Sequence, residues 1–358
     1  MLIVRSPVRI SFGGGGTDLP TYYEKYSGAV LSTTINKYFY TILSRRNDDK
    51  IQVISSDLRT IETWHDLNRL NRPGTELEIP LAVLKELQCA IPLDLFMASE
   101  IPPGTGLGSS ASVCVGLLKA LSAYLRLGLS RHQLAETAFH IARHVLGHPV
   151  GKQDEYASAF GGLNYITFHP DGSTTVKPVE LEPDVLRELE SNLMLFFTGA
   201  AHNSWEILGE QERVADASSS VSLASLQTIH HLARDMREVL VEGDLHRFGR
   251  LLDDAWDAKR RLSSKISNSR IDQLYEMARQ HGALGGKITG AGGGGFLLLY
   301  CEAEAQPAVH EAFAREGLRE MTFEFDLKGA HVLVNDPFLD GDGNCGLRWT
   351  FRSVTGSV

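Results

Sequence analysis

The chain has 358 residues, 43% of them hydrophobic, and a formal net charge of -9. That is enough apolar material for a large core and, by length, for two domains. An acidic chain lacks the basic stripe of a general nucleic-acid binder, and no run of about 20 apolar residues offers a membrane span, so neither nucleic acid nor membrane is an expected partner.

Periodicity predicts the elements in order. Leu2–Phe12 alternates as a strand. Gly28–Ser44 is β-branched and aromatic, a second strand with a bend near Asn36, and Ile51–Ser55 is a third. Pro80–Cys89 has helical spacing, with Leu81, Leu84 and Leu87 on one face. Leu93–Glu100 is a strand leading into a glycine loop, and Ser110–Leu125 is a buried helix. Ser130 opens a helix to about Val145, with Gln133 at the capping-box position. Gly161–His169 reads as a turn and strand, Pro183–Leu189 as a short helix, and Leu193–Thr198 as a strand. Helices are expected over 221–241, 244–261 and 270–281, then a strand over Phe296–Tyr300 and a helix over Ala305–Glu316. A strand pair over 321–327 and 330–334 closes the fold, and 340–358 reads as a loosely held tail. The β-rich first half and helix-rich second half suggest two α+β domains, broken near 180–192.

Three glycine-rich stretches carry the functional information: Pro7–Asp18, Pro102–Ser112 and Lys287–Gly295. Glycine permits close backbone approach and positive φ, and the usual visitor to such loops is a phosphate held by backbone N–H groups. They come from both halves of the chain, which puts the site in the cleft between domains. In the second stretch, successive N–H groups from Gly106 to Ala111 can wrap phosphate oxygens, with the positive end of a helix behind them. Ser109 and Ser110 add hydroxyls for phosphate or Mg²⁺. A Walker A loop needs a lysine after Gly108, and none is there; a Rossmann loop needs a third glycine where Ser109 stands and an acid about 20 residues on, where Tyr124-Leu-Arg-Leu-Gly128 has none. The cysteines, Cys89, Cys114, Cys301 and Cys345, have no CxxC spacing, and Met1–Pro7 is no signal peptide. Both point to a cytoplasmic protein with reduced thiols.

In this order, the Pro-x-Arg, Pro-x-x-x-Gly-Leu-Gly-Ser-Ser-Ala and Lys-x-Thr-Gly-Ala-Gly-x-Gly-Gly motifs resemble the GHMP kinases over about residues 2–335. Phe12–Pro20, Gly151–Gly162 and Ile266-Ser-Asn268 resemble, more narrowly, the D-glycero-D-manno-heptose 7-phosphate kinases of that superfamily. The resemblance implies an N-terminal mixed α/β domain over 1–187 and a C-terminal ferredoxin-like α+β domain over 188–339. It implies transfer of the ATP γ-phosphate, with Mg²⁺, to the anomeric hydroxyl of a sugar phosphate, by a monomer or homodimer. An unphosphorylated sugar, as in fucokinases, and a catalytically silent sugar sensor are the alternatives.

Residue by residue, the resemblance makes Asp154 the base and Arg9 the cation that keeps it charged. It makes Pro103, Gly104, Gly106, Leu107, Gly108, Ser109, Ser110 and Ala111 the nucleotide cradle, with Ser110 as a magnesium ligand. Gly15, Gly16, Thr17, Asp18, Gly292 and Gly293 border the sugar. Galactokinases carry Glu-His where Gly15 and Gly16 stand, so this pocket gains space, which suits a longer sugar. Lys287, Thr289 and Gly290 support the second loop, though a pure packing role for Lys287 stays open; so does an ordinary helix end for Lys259, Ser263 and Asn268. A 7-phosphate needs cations, and Lys37, Arg45, Arg46, Lys259 and Arg261 compete. His202 and Asn203 follow a strand end and suit substrate contact or a helix cap equally. One departure stands out: the glutamate that several relatives place a dozen residues before the aspartate is missing from Ile141–Pro149, and Glu136 is too far away to assume equivalence.

Overall fold

A computed structural model of the protein describes residues 1–65, 75–199, 207, 209, 210, 212 and 220–336. The first sheet is built around two long strands, β1 (Leu2–Gly13) and β2 (Gly28–Arg45), with α1 (Pro20–Tyr26) between them. Then come β3 (Ile51–Ser55), β4 (Thr60–Trp64), α2 (Glu78–Glu86), β5 (Leu93–Ser99), α3 (Ser109–Tyr124) and α4 (Arg131–His140). A π-helical turn (Ile141–Val145) precedes α5 (Gln153–Phe160), β6 (Asn164–Phe168), β7 (Thr174–Pro178) and α6 (Pro183–Ser191). The second half contains β8 (Leu193–Phe197), α7 (Ser220–Glu242), α8 (Leu245–Arg260), α9 (Ser269–Gln280), β9 (Gly285–Ile288), β10 (Phe296–Tyr300), α10 (Gln306–Arg315) and β11 (His331–Asn335).

The first sheet has the order β11-β1-β2-β5-β3-β4, with β6 on the first half of β2 and β7 beyond it. The bend predicted near Asn36 is a bulge. The register steps from Pro7↔Tyr38 to Val8↔Ile35, which leaves Asn36 and Lys37 outside the ladder and re-aims β2 toward β6. The second sheet is β8-β10-β9.

Three cores follow from the faces of these sheets. α2, α3 and α4 cover one face of the first sheet, burying Leu95, Leu117, Leu118, Leu121 and Leu134. Val8, Ile10, Phe12, Leu31 and Ile35, on the opposite face, share one cluster with Leu195, Phe248 and Leu298 from β8, α8 and β10. There Phe12 meets Phe248 edge-on, with centroids 5.3 Å apart. Each fully buried side chain of this size contributes about 1.5–3 kcal/mol, so this shared core holds the two sheets at a fixed offset. The far face of the small sheet packs on α9 and α10.

α3 is pinned to β1 by a reciprocal pair: Ser6 Oγ donates to Ser112 O at 2.7 Å and Ser112 Oγ donates to Ser6 O at 2.8 Å. α4 has the predicted capping box, Gln133 N to Ser130 Oγ at 3.2 Å and Ser130 N to Gln133 Oε1 at 2.9 Å. It is α-helical to His140 and then widens into the π turn, which carries the helical run to Val145, the expected end. Such turns often lie at functional sites, and this one carries Ile141 and Ala142 onto a cavity wall.

Two expectations change. The segment 321–327 alternates like a strand, yet it makes only one isolated bridge, Ile35↔Phe325, with a second, Phe196↔Glu320, just before it. Its alternation comes from Met321, Phe323 and Phe325 packing into the core between the sheets, where Met321 N–H donates to Leu195 O of one sheet while Asn36 N–H donates to Glu324 O and Asp326 N–H to Thr34 O at the other. The last strand, β11, then pairs antiparallel with β1, so the chain returns to the sheet where it began. The expected boundary at 187/188 falls inside α6. The expected tail at 340–358 lies outside the described residues.

Candidate active site

The second and third glycine stretches meet backbone to backbone. Gly106 has φ +80°, and a Cβ there would sit 2.4 Å from Thr289 O; Gly290 has φ +67°, and its Cβ would sit 2.5 Å from Gly106 Cα. No other residue fits either position. Thr289 Oγ1 donates to Thr105 O at 3.2 Å, and Phe296 N–H donates to the same carbonyl at 3.3 Å. The third stretch, carried by β9 and β10, therefore braces the loop between β5 and α3.

That loop and the start of α3 border a cavity. Pro103, Gly104, Gly106, Gly108, Ser109, Ser110 and Ala111 line it. The first bond within α3 runs from Ser112 N to Gly108 O, so the N–H groups ahead of it have no intrahelical acceptor. They supply donors and a positive helix end for an anion. Leu107 departs from expectation: its side chain is buried in the shared core, and its carbonyl accepts the Arg9 N–H at 2.9 Å.

Arg9 projects from β1 and Asp154 from the first turn of α5. Arg9 Nε donates to Asp154 Oδ1 and Nη2 to Oδ2, both at 2.7 Å, while Nη1 donates to Gly106 O at 2.6 Å. Arg9 is 4% exposed and Asp154 28%, so the pair is largely withdrawn from water, with the carboxylate at the cavity surface. Such bidentate bonds fix orientation as well as charge.

Asp18 is buried beside this pair. Its Oδ1 accepts from Gly16 N at 2.9 Å and Gln153 Nε2 at 3.3 Å, and its Oδ2 from Gln153 N at 3.2 Å. Burial, with the neighbouring Asp154 charge, raises its pKa against these bonds. Gly151 makes the approach of α5 possible, because a Cβ there would lie 2.0 Å from Asp18 Oδ2. Gly15 and Gly16 line the cavity as expected. Thr17 does not. It is fully buried, and its hydroxyl bonds Gly14 O at 2.8 Å and Ala29 O at 3.0 Å, which closes the turn from within.

Two lysines complete the polar wall. Lys259, from α8, donates to Gly290 O, and Lys287, from β9, donates to Phe12 O at 3.1 Å. Burial, reinforced by the Arg9 charge, brings the Lys259 pKa down to about 7. Burial and the charges of Lys259 and Arg9 push Lys287 well below its ordinary range. Both line the cavity, so Lys287 combines packing with a place at the site. Gly292 and Gly293 do not line it: they pack on the Ile266 segment, where Gly293 N–H donates to Ile266 O at 2.7 Å. Asn268 caps α9 and Ser263 Oγ donates to Glu210 at 3.0 Å, the ordinary helix-end roles left open for them.

The remaining cations scatter. Arg46 binds Asp48 and Asp94 at the far end of β2, Lys37 sits in the bulge, and neither they nor Arg45 border the cavity. Arg261 borders a separate surface depression with Asp257, Arg260 and Ser263. Glu136 is engaged by Lys152 at 2.8 and 3.0 Å and by the Tyr156 hydroxyl at 2.5 Å. His202 and Asn203 lie outside the described residues.

Three site residues escape a reading of the sequence: Ser11, Gln153 and Glu155. All are cavity-lining, and Ser11 Oγ, Gln153 Oε1 and Glu155 Oε2 are buried without a hydrogen-bond partner. Orphaned polar atoms are expensive in a core but serve a ligand site. Their only local signal is proximity to Arg9 and Asp154. Among the described residues, no group of three His, Cys, Asp or Glu side chains is placed to hold a metal by itself. The opposite wall is apolar, with Ile79, Ile141, Leu146 and Val150.

A cavity that joins a helix-backed amide cradle, a clamped carboxylate and buried cations suits phosphoryl transfer. Comparison with known proteins agrees. The family described as GHMP kinases N terminal domain matches residues 78–162, and GHMP kinases C terminal matches 236–319. The chain is 30% identical over 330 residues to a D-glycero-alpha-D-manno-heptose 7-phosphate kinase of Campylobacter jejuni, covering 91% of this chain and 96% of the relative. It is 25% identical over 352 residues to a galactokinase of Pyrococcus furiosus, covering 90% and 95%. The crystal structure of a D-glycero-D-manno-heptose 1-phosphate kinase from Bacteroides thetaiotaomicron superposes with a TM-score of 0.79 at 27% identity, covering 94% of this chain and 100% of that one. The chain belongs to the GHMP kinases. Its two-sheet α+β architecture is the fold of that superfamily. No helix among the described residues is long and apolar enough to cross a membrane.

Proposed function

We propose that the protein transfers the γ-phosphate of ATP to the anomeric hydroxyl of D-glycero-D-manno-heptose 7-phosphate, giving the 1,7-bisphosphate. One observation carries this reading: Arg9 clamps the Asp154 carboxylate at the cavity surface and bonds, by the same guanidinium, the glycine loop that would cradle the phosphates. The substrate choice is supported by the C. jejuni relative's name and by Gly15 and Gly16, which leave the sugar end of the cavity open.

In this mechanism the sugar hydroxyl donates to Asp154, which accepts its proton as the oxygen attacks the γ-phosphorus and ADP departs. Arg9 keeps the carboxylate oriented. The α3 N–H groups, Lys259 and Lys287 offset charge on the transferred group. Mg²⁺, when bound with ATP, neutralises phosphate charge; the exposed Ser110 hydroxyl, at the cavity edge, fits a hard cation that keeps most of its ligands as phosphate and water. The buried thiols Cys89, Cys114 and Cys301 suit a cytoplasmic enzyme. We take it to act there as a monomer or homodimer.

A second reading, an unphosphorylated sugar as in fucokinases, is favoured by one feature. Among the described residues, the Arg and Lys side chains lining the cavity are Arg9, Lys259 and Lys287, all near the transfer end, with no separate basic cluster for a distal phosphate. ADP release with heptose 7-phosphate, fucose, mannose and galactose decides between them. Stimulation by the heptose phosphate above the others is expected; stimulation by fucose alone would replace the leading substrate.

A further inference from the structure

Three carboxylates line the cavity among the described residues: Asp18, Asp154 and Glu155. The first two are occupied. Both Asp154 oxygens accept from Arg9, and both Asp18 oxygens accept from Gly16 or Gln153. Glu155 differs. It is 3% exposed, borders the cavity, and its Oε2 has no partner. It follows Asp154 on α5, which packs against α3, and it lines the same cavity as Cys114. Cys114 lies one turn of α3 beyond Ser110, so the Glu155 carboxyl stands by the helix whose first turn bears the Ser110 hydroxyl. The upstream stretch offers no rival: Ile141, Ala142 and Leu146 give the wall no oxygen, and Glu136 is held by Lys152 and Tyr156.

We infer that Glu155 is the protein carboxylate that, with Ser110, holds the divalent cation accompanying the nucleotide. A buried carboxylate with an unused oxygen is unfavourable by itself, and a hard cation bridging it to phosphate oxygens would satisfy it. Magnesium is ordinarily held by one or two protein oxygens plus phosphate and water, so no larger acidic cluster is needed. The assignment rests on the ATP-dependent reading above.

Mn²⁺ serves as the probe, titrated by electron paramagnetic resonance against the full chain with a non-hydrolysable ATP analogue. Wild-type protein with the analogue should bind Mn²⁺ more tightly than the analogue alone. Supporting shells by themselves are worth about 10–100-fold in metal affinity, so Glu155→Gln should weaken Mn²⁺ binding in the ternary complex by about tenfold or more. The metal-free analogue should bind the variant within about twofold of wild type, because Glu155 touches metal rather than nucleotide. Wild-type Mn²⁺ affinity in Glu155→Gln, or its loss in Asp154→Asn instead, overturns the assignment while leaving the kinase reading intact. A wild-type protein that binds neither the analogue nor its Mn²⁺ complex overturns both. If circular dichroism shows Glu155→Gln unfolded, Glu155→Asp takes its place: it keeps the charge but withdraws it by one methylene, and wild-type affinity with an unchanged Mn²⁺ spectrum would overturn the assignment.

Discussion

One Arg9 guanidinium joins the two Asp154 oxygens, each at 2.7 Å, to the Gly106 carbonyl at 2.6 Å. The residue that orients the carboxylate therefore also sets its distance from the phosphate loop. A lysine could reach one of these partners but not all three, because only the planar fork matches them together.

Arg9→Lys should therefore lower kcat by about tenfold or more while changing nucleotide affinity little. It should also lower stability by about 1.5–3 kcal/mol, the worth of hydrogen bonds to charged groups. Steady-state kinetics and a denaturant melt read both. A variant with wild-type kcat would show that the clamp does not position the carboxylate.

Asp154→Asn keeps the shape of the site but removes the proton acceptor. Turnover should fall by about 10²–10⁴-fold, the range of general base catalysis, with analogue binding largely kept. Turnover near wild type would sink the base assignment.

Lys259 gives the pH dependence. With its pKa lowered to about 7 from an ordinary 10.5, it is increasingly neutral in the free protein above about pH 7. An anionic ligand favours the charged form and raises that pKa, so binding takes up a proton. Affinity for inorganic phosphate or an ATP analogue should fall as pH rises above about 7, and Lys259→Met should flatten that fall. The stability of the free protein moves the other way. The unfolded chain binds more protons between about 7 and 10.5, so this group makes the fold more stable as pH rises through that window. Calorimetric titrations and melts across the window test both signs; pH-independent affinity in the wild type would remove Lys259 from the anion site.

Gly15 tests the open sugar end. A Cβ there would sit at an ordinary 3.4 Å from Gln153 Nε2, so Gly15→Val should fold. Its methyls would enter the cavity and raise KM for the heptose phosphate by about 10–200-fold, the scale of a pocket misfit. An unchanged KM with an unchanged melt would place the sugar elsewhere.

Gly106→Ala probes the brace. The positive φ and the 2.4 Å clash with Thr289 O leave no room for a methyl group. Stability should fall by about 1–3 kcal/mol or more, and analogue binding should fall with it. A native melt would mean that the two loops can separate freely.

Local motifs were legible where chemistry and sequence neighbourhood coincide. The Gly104–Ala111 run and the Ser130 cap required a motif or spacing and little else, whereas the partnership of Arg9 with Asp154, 145 residues apart, came only from the family resemblance. The orphaned oxygens of Ser11, Gln153 and Glu155 were not legible, because burial decides their meaning and burial comes from packing α5 on β1 and α3. Thr17, Leu107, Gly292 and Gly293 sit inside matching motifs but face the frame instead of the cavity, a distinction that side-chain direction alone makes. β4 and β7 were missed because Thr60–Trp64 and Thr174–Pro178 are short, half-exposed and nearly without alternating apolar residues.

The return of β11 to β1 changes what kind of motion the cleft allows. The small sheet is an insert, attached on one side through α6 and on the other through 321–330, and it shares a core with β1 and β2. A hinge would have to bend both connections together and separate the packed side chains of that core, so the two sheets behave as one frame. With the two sheets held at that offset, a crosslink between them should leave turnover nearly unchanged.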